Sequence, residues 1–89
     1  MARREDGSRD FLETAAQGGA PDALLELGLR YCNGLDVEPD YVAAHKWFNL
    51  AALRGNLEAK RYRAELSREM SKAQIVQAQR EARAWLSAH

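Results

Sequence analysis

An all-α fold of about five helices is what this sequence predicts, and three observations predict it. Alanine, leucine, arginine and glutamate dominate, and Val37, Val42, Ile75 and Val76 are the only valines and isoleucine; that mixture favours helix over strand. Apolar residues recur at spacings of three and four, the period of a helix with one buried face. Capping residues and glycine stops divide the 89 residues into segments of helical length. With 46% apolar residues the chain has material for one small core.

Each element follows from local residues. Residues 1–7 are charged and aperiodic and are expected to form a flexible N-terminal arm, leaving 8–89 as a single helical domain. Ser8 suits the N-cap of a short helix with Phe11, Leu12, Ala15 and Ala16 on its apolar face, ended by Gly18-Gly19. Pro21 suits the first turn of the second helix, whose stripe is Leu24, Leu27, Gly28 and Tyr31. Asn33-Gly34 breaks it, a loop through Leu35, Asp36, Val37 and Pro39 follows, and Asp40 caps a third helix over about 41–54. Gly55 stops that helix, and a fourth runs from about Asn56 to Glu69 with Ala59, Tyr62, Leu66 and Met70 in line. Ser71-Lys72-Ala73-Gln74 forms a capping box, with Met70 and Ile75 as its hydrophobic staple. The fifth helix places Ile75, Ala78, Ala82 and Trp85 on one stripe.

The charge is balanced, with 13 basic and 13 acidic residues. A strongly basic nucleic-acid binder and a basic membrane-surface protein are therefore disfavoured as wholes. The balance hides an asymmetry: residues 1–53 carry a net −4 and residues 54–89 a net +4. One cysteine, Cys32, excludes an internal disulfide. The N-terminus has no apolar stretch behind its charges, and no segment approaches a membrane span, so a cytoplasmic protein is expected.

Sliding the chain against itself by 36 residues superimposes Phe11 on Trp47, Leu12 on Phe48, Ala15-Ala16 on Ala51-Ala52, Gly19 on Gly55 and Ala23 on Ala59. Bulky side chains, alanines and a stop glycine at fixed distances are what antiparallel helix packing needs. On this pattern Gly28 and Ala51 are expected where helices touch backbone to backbone, with Tyr31 and Trp47 buried between them.

Residues 23–59 resemble one full unit of the Sel-one-like repeats, relatives of the tetratricopeptide repeats. The resemblance is carried by Ala23, Leu27-Gly28, Tyr31, Gly34, Val37, Asp40, Ala44, Trp47-Phe48, Ala51-Ala52, Gly55 and Ala59. Two positions depart from the family pattern. Asp36 stands where a second loop glycine is usual, and Ala43 where a lysine is; Asp tolerates the left-handed conformation, so the loop should survive. The resemblance implies a short α/α solenoid. Residues 10–22 would be half a preceding repeat and residues 60–89 a divergent capping helix pair. It further implies a protein-binding module, often bacterial, that assembles signalling or regulatory complexes.

No catalytic, cofactor-binding or metal-ligating set is recognisable. His45 has no second ligand at metal spacing, and His89 is the last residue, expected to fray. Cys32 lacks a local His–Asp partner for nucleophilic chemistry. The run Lys60, Arg61, Arg63, Arg68, Lys72, Arg80 and Arg83 is interrupted by Glu58, Glu65, Glu69 and Glu81 and scattered around two helices, the pattern of a solvated, ion-paired face. By analogy with related repeats the first helix of each pair is expected to form the inner face, so the candidate protein-binding residues are Glu26 and Arg30, on the exposed side of the second helix, and Trp85, on a last helix that no further helix is expected to cover. The expected function is a small adaptor or scaffold for an unidentified protein partner. The alternatives are a unit that self-associates through its terminal helices and a nucleic-acid accessory using the basic half.

Overall fold

The computed structural model describes residues 11–89, so the expected arm at 1–7 and the Ser8 cap lie outside the described residues. Among the described residues there are five helices and no strand. They are α1 at 11–17, α2 at Pro21–Asn33, α3 at Tyr41–Leu53, α4 at Leu57–Ser67 and α5 at Lys72–Ala88. No helix among them is long and apolar enough to cross a membrane.

The helix ends are set by the residues singled out for them. Asp40 accepts the Ala43 N–H at 3.0 Å, and Asn56 caps α4 by accepting the Ala59 N–H at 3.0 Å. At α5 the capping box closes in both directions, with Gln74 N–H to Ser71 Oγ at 3.1 Å and Ser71 N–H to Gln74 Oε1 at 2.9 Å. Met70 and Ile75 then meet in one apolar cluster, as a staple requires. Helix α4 ends at Ser67, two residues short of the expected Glu69. There the bonds tighten to the i−3 type, Arg68 to Glu65, Glu69 to Leu66 and Met70 to Ser67, and the turn carries Met70 into the core.

The 36-residue repeat is visible in the backbone itself. After α1, Gly19 N–H bonds the Ala16 carbonyl at 2.8 Å and Ala20 N–H the Ala15 carbonyl at 3.2 Å. After α3, Gly55 bonds Ala52 at 3.1 Å and Asn56 bonds Ala51 at 2.9 Å, the same two bonds displaced by 36. Both turns are Schellman motifs, which need a left-handed residue at the stop, and Gly19 (φ 84°) and Gly55 (φ 105°) provide it.

Helix α3 is the hub, with α2, α4 and α5 all packed against it. It contributes to two apolar clusters. One gathers Ala16, Leu24, Leu27, Leu50, Ala51, Ala82 and Trp85; the other gathers Ala44, Phe48, Leu66, Met70 and Ala78. Leu24, Phe48 and Leu50 are the largest fully buried side chains. Each contributes about 1.5–3 kcal/mol by leaving water.

Several sequence expectations are corrected. Tyr31 and Trp47 are only half-buried, and the aromatic residue at the centre is Phe48. Gly28 abuts the Phe48 ring rather than another backbone. Trp85, expected to lie uncovered, is 8% exposed because Trp47, Arg54 and His89 surround it. His89 is not frayed: its ring stacks on Trp85 with centroids 3.9 Å apart, and its Nδ1 lies 2.8 Å from the Trp85 carbonyl oxygen.

Candidate protein-binding surface

Helix α2 presents a narrow polar stripe to solvent. Its apolar residues Ala23, Leu24 and Leu27, with Gly28, turn inward, which leaves Asp22, Glu26 and Asn33 exposed. Asp22 sits in the first turn, where a negative charge complements the helix dipole, and accepts a 3.1 Å hydrogen bond from the Asn56 side chain. Glu26 is one turn further on and is exposed.

Arg30 is engaged within the fold. Its Nη1 lies 3.2 Å from Asp36 Oδ2, and its Nε is buried without a partner among the described residues. Asp36 adopts φ 64°, so it fills the glycine position in the left-handed conformation and its carboxylate ties the loop back to α2. This ion pair reaches solvent and contributes no more than about 1 kcal/mol.

Trp85 belongs to the core rather than the free surface. Its indole meets Trp47 edge-on with centroids 6.3 Å apart and an interplanar angle of 81°, and the Arg54 guanidinium lies 5.8 Å from its ring centre. The three sequence-derived candidates therefore do not form one patch. Glu26 is exposed, Arg30 is spent on the loop, and Trp85 braces the interior.

The structure adds a feature that sequence reasoning missed. A cavity of about 170 Å³ opens between α1, α2 and α3, lined by Glu13, Ala16, Gln17, Leu27, Tyr31 and Trp47. Tyr31 and Trp47 stand on consensus repeat positions, which was a usable signal for two of the walls. Glu13 and Gln17 are placed there by α1, whose approach to α2 and α3 no local pattern reveals.

Among the described residues His45 is the one buried polar or charged residue, 2% exposed. Its Nε2 lies 3.1 Å from Ser67 Oγ, and the Ser67 hydroxyl donates to the Arg63 carbonyl at 2.8 Å. The serine proton being committed there, Nε2–H donates to Ser67 and Nδ1 keeps a buried lone pair without a partner. Burial first, and the Arg63 charge second, hold the His45 pKa below its ordinary value, so the ring packs as a neutral group. Cys32 is half-buried, and burial pushes its thiol pKa up, away from the reactive thiolate. Among the described residues no group of three or more His, Cys, Asp or Glu side chains gathers to hold a metal.

Antiparallel helices that recur at a 36-residue offset, with matching Schellman turns, define an α/α helical-repeat protein. Residues 21–56 match the family model of the Sel1 repeat, so that segment is similar to a Sel1 repeat. The match covers α2, the Asp36 loop, α3 and the Gly55 turn. No curated protein and no solved structure matches the chain significantly. Sel1 repeats generally mediate protein interactions and are typically non-catalytic.

Proposed function

We propose that this protein is a cytoplasmic adaptor or scaffold, in which residues 8–89 act as one helical-repeat domain that binds another protein and performs no chemistry. The similarity of 21–56 to a Sel1 repeat is the observation that carries this reading. Helical-repeat folds present extended faces built from helices held rigidly by their neighbours, and α2 is held in this way by α3. The exposed Glu26 is the side chain through which α2 would contact a partner. The test is affinity capture from native lysate with identification by mass spectrometry. A protein recovered in near-stoichiometric amount and lost with Glu26→Lys supports the reading; recovery of no protein overturns it.

A second reading, self-association through the terminal helices, has its own observation. Phe11 on α1 is 76% exposed and Leu86 on α5 is also exposed, and they lie in halves of net −4 and +4. Opposite fields steer encounter, and the apolar residues would supply adhesion. Sedimentation at low and high salt decides between the two: a monomer across the concentration range leaves the adaptor alone.

A further inference from the structure

We infer that the cavity between α1, α2 and α3 is a socket for one basic side chain, lysine or arginine, of a partner peptide. Ala16 and Leu27 are buried, which makes the base apolar, while half-buried Tyr31 and Trp47 are aromatic walls. Glu13 and Gln17 are exposed, so a carboxylate and an amide stand at the rim. A volume of about 170 Å³ holds a single side chain and excludes anything the size of a nucleotide.

An aliphatic stem with a cationic head fits each of these surfaces in turn. The methylenes lie on Ala16 and Leu27, the aromatic faces attract the cation, and Glu13 supplies a charge-assisted hydrogen bond. The chain already shows the attraction of this indole for an ammonium: Lys46 Nζ lies 4.2 Å from the Trp47 ring centre, and Lys46 is not part of the cavity wall. The lining points the same way: Glu13 is its one charged side chain, which favours a cationic group and opposes an anionic one.

The walls are also held in place by contacts with α5 and the residue after it. Trp47 is braced edge-on by Trp85, and Gln17 Oε1 is paired with Nε2 of His89, whose ring is stacked on Trp85. A cavity with fixed walls loses little ordering entropy on binding.

This inference rests on the protein-binding reading and is tested separately from it. The ¹⁵N-labelled chain is titrated with N-acetyl-lysine methylamide, its arginine counterpart and the uncharged norleucine compound, following the Trp47 indole N–H and the Leu27 and Tyr31 amides. The lysine and arginine compounds should give saturable shifts at these positions, at least about tenfold tighter than norleucine. Glu13→Gln should weaken the lysine compound about tenfold while melting like the parent, because Glu13 is exposed. Equal binding of norleucine, shifts confined to α4 and α5, the absence of saturable shifts or indifference to Glu13→Gln would each overturn the socket. A captured partner whose binding ignores Glu13→Gln overturns the socket and leaves the adaptor. Binding of the lysine compound by a chain that captures no protein does the reverse.

Discussion

A Cβ on Gly28 would stand 2.4 Å from two carbon atoms of the Phe48 ring, inside any tolerable contact distance. Residue 28 is glycine because the ring occupies the space a side chain would need. Phe48 cannot retreat easily: it is fully buried and stacks on Tyr62 with centroids 5.5 Å apart. Gly28→Ala should therefore destabilise the fold by about 1–3 kcal/mol through overpacking, in spite of the roughly 1 kcal/mol that alanine gains in a helix interior. Phe48→Leu in the same chain should recover part of the loss. Thermal melts check this, and a Gly28→Ala protein that melts at or above the parent contradicts it.

Trp85 yields a stability prediction where an exposed tryptophan would yield an interface prediction. Trp85→Ala should cost about 3–5 kcal/mol, the range for emptying a buried aromatic site. Trp85→Phe, which keeps a ring against Trp47, should cost less. Denaturant unfolding at low protein concentration reads the difference. A small effect of Trp85→Ala would mean that the indole is not part of the core.

Asp36 separates backbone strain from charge. Asp36→Gly keeps the left-handed conformation and loses only a solvent-exposed ion pair, so its stability should stay within about 0.5 kcal/mol of the parent. Asp36→Val puts a β-branched residue at φ 64° and should cost about 1–2 kcal/mol. Equal melting of the two variants would contradict the strained-loop account.

His45 makes stability depend on pH in one direction. Its pKa in the folded chain lies below the ordinary value near 6.5, because burial and Arg63 both oppose the imidazolium. The stability associated with the neutral ring is thus fully present above about pH 6.5 and is lost as pH falls through the folded pKa. The melting temperature should drop between about pH 7 and pH 5, and His45→Gln should flatten that drop. An unchanged pH slope in His45→Gln would assign the dependence to other groups.

Much of the fold was legible because it is written locally. A cap such as Asp40, the box of Ser71 and Gln74, and the stops at Gly19 and Gly55 each act within six residues of themselves. The choice between neighbours was not legible. Trp47 and Phe48 are adjacent and equally apolar, and what sends Phe48 to the centre is the notch left by Gly28, twenty residues away. The same holds for Trp85, covered by Trp47, Arg54 and His89, and for His45, whose burial depends on Ser67 of α4. The cavity is the least legible feature, since it exists only where three helices meet. Of the proposed surface, only Glu26 stands in solvent as its position on α2 suggested.

A partner that binds the repeat unit, and α2 in particular, should leave its footprint in amide hydrogen exchange of the chain, measured alone and saturated with the protein captured from lysate. Exchange should slow across α1 and α2, residues 11–33, with α4 and the exposed side of α5 unchanged. Protection confined to α4 and α5, with α2 exchanging as in the free chain, would contradict binding there.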